Sequence, residues 1–533
     1  MVGMKARSGA DQSNPVDILV IGGGVNGAGI ARDAAGRGLS VILCEKGDLA
    51  GATSSASTKL FHGGLRYLEY FEFGLVREAL IEREILLKSM PHIAFPMRFV
   101  LPIDEDLRFP EHGSSFARLM SIVPFLGGRR PSWLTRTGLF LYDHLGGREN
   151  LPPTETLDLR SHPAGRPLKS LYTQAFEYSD GWVDDARLVV LCARDAANRG
   201  ATILTRTRLE KADREGDLWR AELRDTETDT SQTIYARALV NAAGPWVEDV
   251  LHQKLRQISN EGVRLVRGSH IVTRRLFDHD QPYFFQLADG RIIFAIPFQT
   301  DFTLIGTTER EHQGDPGNAV CTDEEKHYLV NAINNFFRKQ IGIDDIVWTY
   351  SGVRPLYDDH ADDATSATRD YVLTVSDEVE KAPLLNVFGG KITTFRHLSE
   401  EAMHRLRHWF PEMASKWTAD ARLPGGDFEF GGARKLTARL REKFSFLDGD
   451  WAMRLIRAYG TDAFEMLDGA GSASDLGQSF GATLTAREVD WMVNREWART
   501  ADDILWRRSK LGLRIDDVGR AALSGYLHGL GTV

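Results

Sequence analysis

The segment DILVIGGGVNGAGIARDAAGRGLSVILCEK, residues 17–46, admits few folds. Its apolar run Ile18-Leu19-Val20-Ile21 reads as a buried strand, which stops at Gly22-Gly23-Gly24-Val25-Asn26-Gly27 before an Ala-rich helical stretch ending near Gly36 and Gly38. Gly22 permits the tight turn and Gly24 lets backbone approach a pyrophosphate. Gly27 lets the helix pack closely on the strand while its first N–H groups face the anion. A second apolar strand, Val41-Ile42-Leu43-Cys44, delivers Glu45, whose carboxylate is placed to accept ribose hydroxyl hydrogen bonds and would repel a 2′-phosphate. A G-x-G-x-x-G alone also occurs as a glycine-rich turn in other α/β units. Strand, helix and spaced acid together point to a dinucleotide, with NADP disfavoured.

At 533 residues the chain exceeds one ordinary core, so two or three domains are expected. Apolar residues at 42% and charged residues at 26% exclude a disordered or collagenous chain, and the net charge of -9 argues against a general nucleic-acid binder. Cys44, Cys192 and Cys321 lie far apart without a C-x-x-C pair, which fits a reducing compartment and excludes a cysteine-built metal site; no metal is expected. The leader MVGMKARSGADQSNPVD is polar and lacks an apolar core, so no signal peptide is expected. No apolar run approaches about 18 residues, so the chain is not expected to span a bilayer, although it can lie on one.

No internal repeat appears. A hydroxyl-rich loop follows the opening βαβ unit and leads into a charged amphipathic helix over about 75–90. The alternation in ATILTRTRLEKAD and LWRAELRDTETDTSQTIYARALVNAAG predicts strands, including a hairpin that continues into a buried strand. GSHIVTRR, RIIFAIPF and FTLIGTT predict an antiparallel sheet inserted into the nucleotide domain, and LPGGDFEFGGARK reads as a linker to a helical region. The expected fold class is α/β plus an antiparallel-sheet substrate domain, with a C-terminal α-helical domain. Its segments are a dinucleotide-binding domain at 16–90, 166–250 and 350–420, a membrane-proximal or substrate part at 91–165, the antiparallel substrate domain at 251–349, and the helical domain at 425–533.

Three features favour FAD over NAD. TSSASTK offers the hydroxyls of Thr53, Ser54 and Ser55, with Lys59, to pyrophosphate or flavin edges. VNAAGPW ends a buried strand in small residues up to Gly244, as needed where backbone passes close to a cofactor. NVFGGKITTFR runs strand, Gly389-Gly390, helix start, and aims N–H groups and positive helix-end charge, with Lys391 and Thr393, at one ligand edge.

Together IGGGVNGAGIARDAAGRGLSV, ATSSASTKLFHGGLRYLEYFEFGLVREAL, FEYSDGWVDDARLV, VNAAGPWV, GSHIVT, LIGTTE, WTYSGVRPL, TRDYVL and FGGKITTFR resemble the FAD-dependent, respiratory glycerol-3-phosphate dehydrogenase family, within the D-amino-acid-oxidase-like fold. The resemblance covers nearly the whole chain. It implies non-covalent FAD and oxidation of sn-glycerol 3-phosphate to dihydroxyacetone phosphate, with hydride passing from C2 to flavin N5 and electrons onward to quinone. It also implies monotopic attachment to the inner face of the cell membrane, and leaves a homodimer open. No sizeable insertion of the kind carried by related oxidases is visible, which favours quinone over oxygen.

The phosphate ester needs fixed cations. Arg66 follows the backbone-exposing pair Gly63-Gly64, Arg354 is stiffened by Pro355, and the resemblance places Arg369 and Lys391 near the flavin face with them. His270 resembles the family's active-site histidine and is expected to accept the hydroxyl proton, an unshifted imidazole titrating near neutrality. Arg354 is expected to stabilise charge on the C2 oxygen, while His62 and Tyr67 shape the pocket. The stretch TTFRHLSEEAMHRLRHWF, with its stripe of Leu398, Ala402, Leu406 and Trp409, is one candidate membrane surface, and SIVPFLGGRRPSWLTRTGLFLYDHL is another. An oxygen-using oxidase, an amine or amino-acid oxidase of the same fold, and a non-catalytic FAD-binding redox sensor remain alternatives.

Overall fold

Five strands pair in parallel, and the central ones are apolar and buried where helices and a hairpin cover them. The computed structural model describes residues 11–104, 132–147, 149–259, 261–287, 289–358, 370–376 and 381–531, apart from the side chains of Arg66, Glu69 and Tyr70. The first sheet runs Val372–Ser376, Leu384–Phe388, Ser231–Asn241, Val16–Ile21, Val41–Cys44, Thr202–Leu204. Ile18 pairs with Val41 on one side and Ala238 on the other, so the glycine turn leaves the sheet at its centre. The Leu218–Asp225 strand pairs antiparallel with the start of Ser231–Asn241, the expected hairpin.

The helices Val25–Gly36, Asp185–Asn198 and Phe395–Arg405 share one apolar core beneath this sheet. Gly29 makes the third fit, since a Cβ there would lie 2.8 Å from the Phe395 ring. This corrects one expectation: Leu398, Ala402 and Leu406 form a stripe that is fully buried in the nucleotide domain. The stripe is amphipathic because it faces protein, and Trp409 packs against the same core.

Among the described residues a ten-stranded second sheet is antiparallel except where Tyr283–Gln286 meets Ala94–Pro102. Two of its strands depart from the expected segments. Gln174–Val183 pairs along its length with Ala94–Pro102, although residues 166–250 read as nucleotide domain. It leads directly into Asp185–Asn198, so locally it imitates a βα unit, and only its long-range partner reveals the sheet it joins. Ile346–Tyr357 likewise crosses the expected boundary at 349 and pairs throughout with Val263–Arg274.

The last segment packs Ala433–Lys443, Gly449–Tyr459, Ala486–Glu496 and Asp517–Gly529 around its own core. An ionic seam joins it to the nucleotide domain. Asp48 accepts from Arg206 (3.3 Å), Arg507 (2.5 Å) and Arg508 (2.6 Å), Asp503 accepts from Arg206 (2.5 Å), and Arg187 pairs with Glu496. Such buried charges are tolerable only because each has several partners.

Candidate active site

Two adjoining cavities follow from this arrangement. A cleft of about 1020 Å³ runs along the carboxyl ends of the parallel strands, lined by Gly22, Gly24, Glu45, Ser54, Gly244 and Gly389 among others. It lies where an α/β sheet receives its ligand. Gly22 sits at φ +110°, and a Cβ there would be 2.5 Å from the Ala242 carbonyl oxygen. A Cβ on Gly27 would be 1.9 Å from the Gly22 oxygen. The turn is therefore closed to any side chain. Glu45 accepts hydrogen bonds from the N–H groups of Gly23 (2.7 Å) and Gly47 (2.8 Å), which orient its carboxylate at the cleft wall; burial holds its pKa above the usual range in spite of them. Ser54 accepts from the Val25 N–H at 2.9 Å and so ties the hydroxyl loop to the helix start.

The second cavity, about 320 Å³, lies between this cleft and one face of the second sheet. Strand register explains its composition. His270 pairs with Tyr350, Gly268 with Gly352, and Val266 with Arg354, so Gly268, His270, Tyr350, Gly352 and Arg354 share a face by their period of two. Ser269, on the opposite face, donates to Glu325 of the covering helix Asp323–Asn334. Three in-strand glycines clear the pocket: a Cβ on Gly306 would be 2.1 Å from the His270 ring, one on Gly268 would be 2.4 Å from the Arg354 guanidinium, and one on Gly352 would be 2.7 Å from Ala56. These were missed in the sequence. Glycine inside an otherwise β-branched run, as in RGSHIVT and LIGTT, is the signal that could have found them.

Arg354 donates to Glu309 (3.0 Å), Thr307 (3.3 Å) and the Thr308 carbonyl (3.2 Å), so its guanidinium is fixed at the pocket wall. His270 is buried, its Nε2 lies 3.0 Å from Thr58 Oγ1, and its ring stacks on Tyr350. Burial first, then the cations Lys59 and Arg354, push its pKa well below the ordinary histidine value. That corrects the expectation of an unshifted ring: the imidazole is held neutral, the state that can accept a proton. Lys391 follows Gly389 (φ +76°) and Gly390 (φ +99°), and its Nζ is buried with no hydrogen-bond partner among the described residues, 4.2 Å from the Tyr67 ring centre. A buried ammonium left so is costly until an anion joins it.

Of the other expected residues, Thr53, Ser54, His62, Gly64, Tyr67 and Thr393 line this pocket. Lys59 is absent from its wall: the side chain is fully buried and bonds both oxygens of Asp185 at 2.7 and 2.8 Å, so it braces the loop from behind. Ser55 turns back to the Ala52 carbonyl, and Gly63 donates its N–H to Tyr142, which donates to Asp180, itself paired with Arg83. That buried chain, also missed, holds the Gly63-Gly64 turn. The Arg66 side chain and Arg369 lie outside the described residues.

Residues 17–425 match the model of the FAD dependent oxidoreductase family, and residues 416–530 match that of the C-terminal domain of alpha-glycerophosphate oxidase. The chain belongs to the FAD-dependent oxidoreductase family. Its cofactor is therefore FAD, and a glycine turn closed to side chains, with the Glu45 carboxylate at the wall of the same cleft and an ammonium without a hydrogen bond in the adjoining pocket, fits a molecule of that kind. The chain is 49% identical to D-erythritol 1-phosphate dehydrogenase of Brucella abortus (strain 2308), over 95% of this chain and 96% of that one. It is 47% identical to aerobic glycerol-3-phosphate dehydrogenase of Escherichia coli (strain K12), over 96% and 97%. Among solved structures, the glycerol-3-phosphate dehydrogenase from Bacillus halodurans complexed with FAD superposes with a TM-score of 0.73 at 26% identity, covering 97% of this chain and 90% of that one.

Proposed function

We propose that the chain oxidises sn-glycerol 3-phosphate to dihydroxyacetone phosphate and delivers the electrons to a membrane quinone. The observation that carries this reading is the meeting of Arg354, His270 and Lys391, from three distant segments, in one small pocket against the FAD cleft. Names of relatives nearly half identical over their whole length point to phosphorylated polyols. A second reading, a four-carbon polyol phosphate, draws on the 49% identity to the erythritol 1-phosphate enzyme. An amino-acid oxidase would need one arginine in an apolar pocket rather than a set of cations.

Bound FAD supplies the hydride acceptor. The protein's part is positional and electrostatic: Lys391 and Arg354 hold the phosphate end and the developing alkoxide. Neutral His270 accepts the C2 hydroxyl proton at a ring nitrogen.

For the membrane contact, the helix Ser132–Leu145 is the surface we propose. It buries Leu139 and Tyr142 inward and leaves Trp133 (58%), Phe140 (60%) and Leu141 exposed, with Phe71 and Phe73 exposed on the neighbouring segment. Aromatic side chains in that setting suit the headgroup region. No helix among the described residues is long and apolar enough to cross a bilayer. Anaerobic mixing of the FAD-loaded protein with glycerol 3-phosphate, and separately with D-erythritol 1-phosphate, tests the reaction. Bleaching of the flavin by the first establishes it, faster bleaching by the second favours the alternative, and none by either overturns both. Sedimentation with anionic vesicles tests the surface, and a Trp133→Ser/Phe140→Ser pair that binds them as well as the parent would rule it out.

A further inference from the structure

His270 is the inner end of a stack of aromatic rings that leaves the substrate pocket and ends in the helical domain. Its ring lies on Tyr350, 4.7 Å between centres at 12°. Tyr350 contacts Trp348 at 5.0 Å, the two standing on one face of the strand Ile346–Tyr357 because they are two residues apart. Trp348 then stacks on Trp506 at 4.6 Å and 15°. Trp506 belongs to the helical domain, in the turn Asp503–Arg508.

That turn is anchored on both sides of the tryptophan by the seam. Asp503 holds Arg206 ahead of it, and Arg507 and Arg508 hold Asp48 behind it. Gly512 leaves the ring its room, since a Cβ there would lie 2.5 Å from Trp506 Cζ2. Tyr350 has little freedom of its own: its hydroxyl donates to the Ser57 carbonyl at 2.9 Å, and Lys59 Nζ lies 5.0 Å from its ring centre. His270 is bonded at its edge by Thr58, which fixes the ring's distance from the loop but leaves rotation about that bond open. The flat face of Tyr350, itself pressed from behind, sets the tilt together with the strand at Gly306, whose missing side chain leaves the ring its place.

We infer that Trp506 is a positioning residue for the reaction, acting through Trp348 and Tyr350 to set the plane and dryness of His270. The helical domain thereby takes part in proton transfer without touching substrate. This rests on the proposed role of His270 as proton acceptor. The groups facing that ring are Thr58 and Lys59 from the hydroxyl loop, with Asp185 neutralising Lys59 from behind, and Tyr350 and Arg354 from the adjoining strand. Loss of the stack admits water, and a wetter imidazole holds its proton to higher pH.

The test uses the FAD-loaded full chain and glycerol 3-phosphate, with the rate of flavin reduction followed against pH. Trp506→Leu keeps bulk but removes the flat face. We expect its limiting rate to fall about 10-fold with KM nearly unchanged, as misplacement of a reacting group does. Its acid limb should move up by about half a pH unit or more. Trp506→Phe should restore both. Gly512→Ala, which keeps every ring but displaces the tryptophan, should move the limb in the same direction, and it serves if Trp506→Leu does not fold. In a His270→Gln background, Trp506→Leu should add almost nothing, because both changes act on one group. A separate readout is near-ultraviolet circular dichroism: the difference spectrum for Trp506→Leu should match that for Trp348→Leu, with or without FAD. An acid limb that stays in place in both Trp506→Leu and Gly512→Ala, while His270→Gln abolishes it, overturns the inference alone. If His270→Gln leaves the limb untouched, the base assignment itself falls and takes the inference with it.

Discussion

The proposed FAD cradle and the proposed substrate pocket are neighbours built on opposite plans. The cradle is made of backbone: Gly22 and Gly27 exclude side chains, and Glu45 is held by two N–H groups within a stretch shorter than 30 residues. The pocket is made of side chains that meet only because distant strands pair, His270 against Tyr350 and Val266 against Arg354, with Lys391 arriving from the first sheet's last turn. Shape governs the first and charge governs the second. Substitutions in the cradle should therefore remove the cofactor, whereas substitutions in the pocket should leave a yellow, slow protein.

The largest effect that sharpens this contrast is Gly27→Ala, whose methyl group would meet the Gly22 oxygen at 1.9 Å. We expect a colourless protein, destabilised by about 1–3 kcal/mol or more from overpacking; flavin absorbance per chain measures it, and full occupancy would break the distinction. Next, Arg354→Ala should keep its flavin and lose about 10²–10³-fold in turnover, the range for removal of one preorganised donor. Near-normal turnover removes Arg354 from the mechanism. Lys391→Met should raise KM for the phosphate ester about 10-fold or more, as loss of a charge-assisted hydrogen bond does, and an unchanged KM would show that the orphan ammonium serves the flavin alone.

His270→Gln should erase the acid limb of flavin reduction. The sign follows from the depressed pKa: the ring is neutral and competent at ordinary pH, and activity falls only as acid protonates it. The smallest effect concerns stability rather than either site. His92 is fully buried beside Gly425, Gly460 and Phe428, where the domains meet, and burial, then nearby arginines, hold it well below the usual value. The unfolded chain takes up that proton below about pH 6.5, so stability is full above that point and declines as pH falls toward the folded value. His92→Gln should flatten the acid side of a Tm-against-pH curve; an identical slope would exclude His92 as its source.

What could be read in the sequence follows the same division. The βαβ unit announced itself because turn, helix start and spaced acid are contiguous, and the strand-to-turn step at Gly389-Gly390 did so for the same reason. His270 and Arg354 could be proposed only through motif resemblance, since nothing local to GSHIVT or SGVRPL says that the two strands pair. Lys59 misled because a lysine in a hydroxyl-rich loop looks like an anion ligand, whereas its partner, Asp185, lies 126 positions away. The 395–405 helix misled because amphipathicity reports a buried face without naming what buries it. Gln174–Val183 changed sheets for want of any signal about its long-range partner.

The carboxylate of Asp48, gripped by guanidinium groups from two domains, ties the inheritance of the molecule's halves together. A chimaera that borrowed its terminal helices from a relative without arginines at 507 and 508 would leave that buried anion, at the wall of the larger cleft, with Arg206 in place of three guanidinium partners. Engineers recombining such scaffolds have to move position 48 and the 503–508 turn as a single cassette.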